Sequence, residues 1–267
     1  MRTEKPEMTI FINTCDSYED CWNPFFQLFS KYWRHCPYPI VLNTELKSYK
    51  FKNLNITCSR VQLNEDKKLN WSECLAKALS KIKSPYILYL QEDYFLEGNV
   101  KNKIIKKLLL NLSDGYADSI RLLEGPSSGP WKKIKGSNDI WEIEKKSKYL
   151  LSLQASIWKT EVLKKQIRTH ENGWQFESYG SSRIRRGTEK ICCVNRDLYS
   201  SKGNLVYPYQ STGIVAGKWV KEIVQPLFKK NKIEIDFSIR GFHDPLRRNK
   251  NKKILIRRII DRLRSYY

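Results

Sequence analysis

The sequence has no long apolar stretch and no cysteine pattern typical of disulfides. Nowhere do about 18 apolar residues follow one another, as a helix that spans a bilayer requires. The first residues contain no apolar run as long as that of a signal peptide. The seven cysteines are odd in number and include no Cys-x-x-Cys pair, which favours reduced thiols. We therefore expect a cytoplasmic protein that is soluble or peripheral to a membrane.

Acidic residues are also scarce, since 28 Asp and Glu stand against 49 Lys and Arg, for a net charge of +21. This excess suits an anionic partner: nucleic acid, a phospholipid surface or a phosphorylated substrate. Internal repeats and low-complexity segments are absent. A hydrophobic content of 40% and an aromatic content of 12% predict a folded chain. Its 267 residues fit one domain of α/β size with an appendage.

Strand and helix signals alternate along the first half of the chain. Short β-branched and apolar runs predict strands at 8–13, 39–45, 56–63 and 86–90. Helical spacing of apolar residues predicts helices at 23–36 and 70–82, the first capped by Asn23 with Pro24 at its first position. This alternation predicts an α/β sheet covered by helices. Such a sheet binds ligands beyond the carboxyl ends of its strands.

The second half continues this pattern less regularly. It predicts a helix at 99–112, a strand at 118–123, a strand leading into a helix at 151–167, and a strand around Cys192 and Cys193. The polar stretch 124–139 contains Gly and Pro and is typical of a mobile loop.

Two adjacent carboxylates, Glu92 and Asp93, follow the strand predicted at 86–90. Neighbouring acids at a strand end repel each other and lose hydration unless a cation neutralises them. Their oxygens suit Mg²⁺ or Mn²⁺. The alternative is that they are ordinary polar residues at the edge of a sheet.

These features together resemble the GT-A glycosyltransferases, and among them small bacterial enzymes of surface polysaccharide synthesis. The resemblance covers most of residues 8–220. It rests on the first strand with its Thr14-x-Asp16 loop, the apolar strand that ends in Gln91-Glu92-Asp93, and the later motifs LQASIWKTEVL, GWQFE and GIVAGKW. In this family a D-x-D motif holds a divalent metal that bridges the two phosphates of a nucleotide-sugar. Gln91 stands where that motif has its first Asp.

The resemblance implies a GT-A fold, which is a Rossmann-like mixed sheet flanked by helices. It implies a single catalytic domain at 1–228, with a nucleotide-binding part at about 1–125 and an acceptor part at 126–228, followed by a basic tail at 229–267. It also implies a nucleotide-sugar donor, a glycan or lipid-linked acceptor, and a divalent cation, Mn²⁺ or Mg²⁺.

Residue roles follow from the resemblance. The expected donor-binding residues are Thr14, Asp16, Tyr18, Gln91, Glu92 and Lys218, and the expected metal ligands are Asp93 and His243. Alternatives remain open: Asn13, Thr14 and Asp16 also suit a turn that caps the next helix. His243 also suits a loop hydrogen bond.

An inverting transfer needs a carboxylate that takes the proton of the acceptor hydroxyl. Glu177 is the candidate catalytic base, with Trp174 and Phe176 as an aromatic sugar platform beside it, and Glu171 competes for the role. In the alternative interpretation the aromatics are core residues and Glu177 is a surface partner of Arg183, Arg185 or Arg186. A structural Glu177 would favour a retaining reaction.

The tail differs in composition from the rest. Residues 247–264 contain nine Arg or Lys and one acid, Asp261. One helical face carries Ile256, Ile259, Ile260 and Leu263. This pattern predicts a basic amphipathic helix on an anionic bilayer, at the inner face of the plasma membrane, where a lipid-linked acceptor would lie. The alternative is a helix that packs on the domain through its apolar stripe.

Two other functions compete with glycosyl transfer. A basic, aromatic-rich chain could bind nucleic acid, but no RNP, zinc or helix-turn-helix signature is present, so we expect no nucleic-acid partner. A nucleotidyltransferase would also use an α/β sheet with metal carboxylates, but the expected Gly-rich amino-terminal loop with Arg and Lys is missing.

Overall fold

A computed structural model of the chain describes residues 7–52, 54–123, 129–199, 203–245 and Ser265. The strands are β1 (Met8–Asn13), β2 (Ile40–Asn43), β3 (Ile56–Cys58), β4 (Tyr86–Gln91), β5 (Ser119–Arg121), β6 (Trp131–Ile134), β7 (Ser137–Ile143), β8 (Ser156–Lys159), β9 (Ile191–Val194), β10 (Ile214–Val215) and β11 (Lys218–Trp219). The helices are α1 (Glu19–Tyr32), α2 (Trp71–Ser80), α3 (Asn102–Ser113), α4 (Thr160–Gln166), α5 (Gly173–Arg186), α6 (Arg196–Tyr199) and α7 (Lys221–Asn231). Short 3₁₀ turns occur at Asp16–Tyr18 and Phe237–Ile239.

Nine of these strands form one mixed sheet in the order β3-β2-β1-β4-β8-β5-β9-β7-β6. Strands β1 to β4 are parallel, and β8 lies antiparallel between β4 and β5. Strands β4 and β5 therefore point the same way, and their carboxyl ends lie at one edge of the sheet. The mixed α/β architecture expected from the GT-A resemblance is confirmed.

Helices cover both faces of the sheet. Helices α1, α3 and α7 pack against one face, and α2, α4 and α5 against the other. All six residues of β1 are buried. A strand covered on both faces reads as a continuous apolar run, which is why MTIFIN is recognisable in the sequence.

The first helix begins earlier than predicted. It starts at Glu19, so Asn23 does not cap it and Pro24 lies within it. Cys21 and Trp22 are buried in the core. The 3₁₀ turn leads directly into the helix. Because Cys21 and Trp22 pack in the core, the helix begins before the start that Asn23 and Pro24 predict.

The stretch 124–139, predicted as a mobile loop, is partly a β-hairpin. Strands β6 and β7 pair at the edge of the sheet, and β7 also pairs with β9. Gly136 turns the hairpin with a φ of +93°, a conformation that favours glycine. Pairing with β9 overrides the polar composition of β7. Residues 124–128 lie outside the described residues.

The core continues beyond residue 228. Ile233 is buried in the main cluster, and the rings of Phe237 and Phe242 lie 5.1 Å apart. The division at 228 stays a prediction. The helix predicted in the tail lies outside the described residues, apart from Ser265, whose buried hydroxyl is 3.0 Å from Nε2 of His170. None of the helices in the described part of the chain has the length and apolarity needed to span a bilayer.

Candidate active site

The carboxylates of Glu92 and Asp93 lie at the carboxyl edge of the sheet, directly after β4. Strands β1 and β4 end in register, with Asn13 opposite Gln91. Both acids are buried, with exposed fractions of 9% for Glu92 and 5% for Asp93. They occupy the edge where such sheets bind ligands.

Burial makes the ionised forms of both acids costly. Burial raises the pKa of Glu92 well above its usual range, and the neighbouring charge of Asp93 raises it further. Burial also raises the pKa of Asp93, although hydrogen bonds from Thr212 and Ile214 act against this increase. A bound cation would stabilise the two carboxylates in their ionised forms.

Asp93 also has a structural role that the sequence did not reveal. Its Oδ2 accepts hydrogen bonds from the Thr212 hydroxyl and from the Ile214 N–H, the latter at 3.1 Å. Its carbonyl accepts the Gly213 N–H at 3.0 Å. A Cβ at position 213 would lie 2.7 Å from Cδ2 of Phe95, so only glycine allows this close approach.

The pair fits a cation that takes its other ligands from a substrate. Mg²⁺ in phosphate-transfer sites is held by one or two carboxylates together with phosphate oxygens. No cluster of three or more His, Cys, Asp or Glu suited to a metal occurs among the described residues, so His243 is not brought into such a cluster with Glu92 and Asp93. The backbone N–H of His243 donates to the Trp219 carbonyl at 2.8 Å. Its role as a ligand stays a prediction.

Thr14 lies beside the acidic pair. Its hydroxyl accepts a hydrogen bond from Nε1 of Trp22 at 3.0 Å. Thr14 directly follows β1 and Glu92 directly follows β4, and these neighbouring strands end in register. The structure therefore brings together Thr14, Gln91, Glu92 and Asp93, four of the residues selected from the sequence.

Asp16 supports a neighbouring loop. Its carboxylate accepts three backbone N–H groups of the segment after β2, from Glu45 at 2.9 Å, Leu46 at 2.8 Å and Lys47 at 3.0 Å. It makes no side-chain cap of the following turn, so the capping alternative is wrong for this residue. The contacts of Asp16 support a structural role, and its contact with a donor stays a prediction.

Tyr18 is held by an arginine that sequence reasoning missed. The guanidinium carbon of Arg240 lies 4.1 Å from the centroid of the Tyr18 ring, and its Nε donates to Oδ2 of Asp20 at 2.7 Å. Burial raises the pKa of the Tyr18 hydroxyl, and the charge of Glu92 adds to the increase. This contact joins the first loop to the C-terminal segment across more than 200 residues, and no local sequence signal reports it.

Lys218 lies exposed on the β10–β11 hairpin. Strand β10 begins at Ile214, which binds Asp93, and Lys218 pairs with Val215. Ala216 and Gly217 both have positive φ, as a two-residue hairpin turn requires. Lys218 is thus carried by the element that Asp93 anchors, and its contact with phosphate stays a prediction.

Glu177 is oriented by the loop that precedes β8. Its Oε1 accepts the N–H of Leu153 at 2.7 Å and the hydroxyl of Ser152 at 3.2 Å. The carbonyl of Leu153 accepts the hydroxyl of Tyr94, which follows β4, at 2.9 Å. Helix α5 therefore directs Glu177 toward the same sheet edge as the acidic pair.

The structure gives other partners to Glu171, Arg183 and Arg185, the residues named as alternatives around Glu177. Glu171 is buried in an ion pair with Arg183, in which Nη2 lies 2.9 Å from Oε2. Arg185 donates to the carbonyls of Lys145 and Ser147. Glu171 therefore already has an ionic partner. The contacts of Arg183 and Arg185 do not pair either of them with Glu177.

The aromatic platform predicted beside Glu177 is wrong. Phe176 is buried and its ring centroid lies 5.6 Å from that of Trp71. Trp174 is 83% exposed. Side chains two positions apart on a helix point in different directions, so the two rings face different environments.

A buried arginine, Arg121, completes this part of the site. It is the last residue of β5 and is 3% exposed. Its Nη2 donates to the Tyr149 carbonyl at 2.6 Å. Burial lowers the pKa of Arg121 to about 10, while the charges of Cys193 and Glu177 act to raise it. A charged residue inside the apolar run DSIRLL is the signal by which the sequence could have revealed it.

Comparisons with known proteins give only distant structural similarity. No protein-family model matches the chain, and no curated protein sequence matches it. A crystal structure of S. aureus TarS 1-349 is 13% identical over 70% of this chain, with a TM-score of 0.46. The same TarS segment in complex with UDP-GlcNAc is 13% identical over 70% of this chain, with a TM-score of 0.42. The bifunctional IspDF from Campylobacter jejuni is 16% identical over 76%, with a TM-score of 0.39.

The chain spans only part of these proteins: 57% and 55% of the two TarS chains and 52% of IspDF. None of the three similarities assigns an activity to this chain.

The hydrogen bonds of Asp16 yield a stability prediction. We expect Asp16→Ala to lower the free energy of unfolding by about 1–3 kcal/mol, because it leaves backbone N–H groups of the loop after β2 without their acceptor. Asp16→Asn, which keeps one acceptor oxygen, should lose less. Urea unfolding followed by circular dichroism measures both, and Asp66→Ala, at an exposed acid, is the matched control. An Asp16→Ala variant as stable as the wild type would contradict the structural role.

Proposed function

We propose that this chain is a metal-dependent glycosyltransferase. In this proposal it moves a sugar from a nucleotide-sugar to a glycan or lipid-linked acceptor in bacterial surface polysaccharide synthesis. The observation that carries the proposal is the buried Glu92–Asp93 pair at the carboxyl edge of the central strand, with Thr14 on one side and Glu177 toward the other. Two carboxylates buried at a ligand-binding edge fit a cation shared with a diphosphate better than they fit a polar loop.

On the donor side, Thr14, Tyr18, Gln91 and Lys218 would contact the nucleotide-sugar, while Glu92 and Asp93 would hold Mg²⁺ or Mn²⁺. The cation would offset negative charge on the diphosphate as it leaves. The Arg240–Tyr18 stack supports this assignment, because it fixes the aromatic ring in the loop that follows β1.

On the acceptor side, Glu177 would act as the general base. Its Oε1 is held by Leu153 and Ser152, so Oε2 is the atom that takes the proton of the acceptor hydroxyl. The acceptor oxygen forms a bond to the anomeric carbon as the bond from that carbon to the diphosphate breaks. The products are the glycosylated acceptor and the nucleoside diphosphate, with inverted configuration at the anomeric carbon.

The first test is donor turnover. Wild-type protein is incubated with Mn²⁺ and UDP- or GDP-sugars, beginning with UDP-GlcNAc, the ligand of the TarS complex, and release of the nucleoside diphosphate is measured. Asp93→Asn keeps the size of the side chain and an acceptor oxygen but removes its charge, so turnover should fall by about 100-fold or more while the protein stays folded. Asp66→Asn is the matched control.

Unchanged turnover in Asp93→Asn would contradict the metal assignment. Release of pyrophosphate from a nucleoside triphosphate would instead identify a nucleotidyltransferase. Thermal stabilisation by single-stranded DNA, with none by any nucleotide-sugar, would identify a nucleic-acid-binding protein.

The second test concerns Glu177. Glu177→Gln keeps an oxygen for Leu153 and Ser152 but cannot take a proton at neutral pH, so we expect kcat to fall by about 10²–10⁴-fold with little change in KM for the donor. Glu161→Gln, at an exposed acid on α4, is the control. A Glu177→Gln enzyme with normal kcat would rule out this base, and a product with retained configuration would point to a different mechanism.

The third test concerns the predicted membrane contact of the tail. Changing four tail arginines to Gln in the full chain should weaken binding to phosphatidylserine vesicles by about 10²-fold or more, since each basic residue contributes about 1 kcal/mol near an anionic surface. The substituted residues are Arg257, Arg258, Arg262 and Arg264.

The matched control removes four exposed lysines elsewhere: Lys68, Lys103, Lys106 and Lys107. Co-sedimentation with vesicles measures binding. Equal losses in the two variants would mean that only net charge matters, and this outcome would reject an anchor in the tail.

A further inference from the structure

Arg121 carries a buried positive charge that no ion pair of the described residues neutralises. Salt bridges within the described chain include two partly buried arginines, Arg183 with Glu171 and Arg240 with Asp20, but none includes Arg121. Arginines that are almost fully buried are normally paired with an acid. The charge of Arg121 therefore calls for an anion.

The hydrogen bonds of the guanidinium leave part of it unused. Nη2 donates to the Tyr149 carbonyl at 2.6 Å and lies 3.4 Å from that of Leu150. Nη1 is buried and has no hydrogen-bond partner in the described structure. Support of the 149–150 loop requires only Nη2, so it does not explain why an arginine occupies this position.

The location of Arg121 connects it to the candidate active site. It pairs with Ser156 of β8, which in turn pairs with Tyr89 of β4. Because β4 and β5 are parallel, Arg121 and Gln91 end their strands at the same edge of the sheet. The arginine thus lies two strands away from the acidic pair, on the acceptor side.

The loop that precedes β8 contacts both Arg121 and Glu177. Its Tyr149 carbonyl accepts from Nη2 of Arg121 at 2.6 Å, and its Leu153 N–H donates to Oε1 of Glu177 at 2.7 Å. The same loop carries Gln154, whose Oε1 accepts from the Tyr209 hydroxyl at 2.6 Å. The charge of Glu177 acts on Arg121, but no ion pair joins the two among the described residues. A guanidinium with an unused Nη1 suits a carboxylate or a phosphate, and the amide and hydroxyl groups of this loop suit the sugar that would carry it.

We propose that Arg121 forms an anion-binding subsite beside Glu177, and that the sugar bound there carries a carboxylate or a phosphate. The proposal rests on the proposed glycosyl transfer for the statement that the ligand is a sugar. Arg121 would be a specificity-determining residue, since a neutral sugar would leave its charge buried and unpaired. A carboxylate or phosphate would accept from Nη1 in a charge-assisted hydrogen bond.

The test uses the full chain and three probes: glucuronate, inorganic phosphate and, as the neutral control, glucose. Isothermal titration calorimetry should show binding of at least one anionic probe and much weaker binding of glucose. Arg121→Gln should weaken binding of that anion at least about tenfold, a loss of about 1.4 kcal/mol. Arg185→Gln, which removes a guanidinium that donates only to backbone carbonyls, should bind as the wild type does.

The two anionic probes distinguish the sources. Preference for glucuronate indicates a uronic-type carboxylate, and preference for phosphate indicates a phosphorylated sugar. If Arg121→Gln does not fold, as judged by its melting curve, Arg121→Lys replaces it, and the wild-type comparison of anion with glucose stands without any variant. Equal binding of glucose and the anions, no binding of either anion, or normal anion binding by Arg121→Gln would overturn the proposal.

Failure of this subsite and failure of the proposed function give different results. Binding of an anion through Arg121 without turnover of any nucleotide-sugar would support the subsite and contradict the glycosyltransferase proposal. Nucleotide-sugar turnover with no effect of Arg121→Gln on anion binding or on the choice between glucuronate and glucose as acceptor would contradict the subsite and leave the glycosyltransferase proposal in place.

Discussion

The carboxylate of Asp93 joins the end of the central strand to a hairpin more than a hundred residues later. Its hydrogen bonds from Thr212 and Ile214, together with that from the Gly213 N–H to the Asp93 carbonyl, fix β10 over the carboxyl edge of the sheet. Strand β11 is the second strand of that hairpin. Its Trp219 pairs with Phe242, which belongs to the segment that carries Arg240. The donor side of the candidate site is therefore assembled around one buried acid.

This arrangement links the proposed chemistry to the fold. A cation bound by Asp93 would share the carboxylate with the N–H and hydroxyl groups of the hairpin. Because a buried charge interacts strongly with its neighbours in a medium of low dielectric, a change in the charge state of Asp93 also changes how firmly the hairpin is held. In the proposed enzyme, binding of the metal and donor would thus be coupled to the order of the hairpin.

Charge is distributed unevenly along the sheet edge. The acidic pair follows β4, whereas the buried cation Arg121 ends β5 two strands away, with Glu177 contributed by α5. An edge of this kind can hold a cation with a diphosphate at one end and an anionic group at the other. The large positive charge of the whole chain contributes little to this pattern, since most lysines and arginines are exposed or belong to the tail.

Local patterns predicted those parts of the fold in which the apolar residues of one strand or helix are enough to indicate that it is buried. Strand β4 with Glu92 and Asp93, strand β1, and helix α2 were all recognisable. The hairpin β6–β7 was not, because pairing with β9 decides its structure. The aromatic platform does not form, because Trp174 and Phe176 are two positions apart on α5 and point in different directions.

The sequence by itself determined the mixed α/β sheet and the position of two acids at its ligand-binding edge, since apolar periodicity and strand ends are local properties. Only the tertiary structure decided which side chains meet there. It gave Asp16 and Glu171 other partners, brought Arg240 onto Tyr18, and placed Arg121 where no acid among the described residues pairs with it. These contacts join residues from 12 to more than 200 positions apart. They depend on how strands, helices and loops are arranged in space, and that arrangement leaves no trace in the spacing of neighbouring residues.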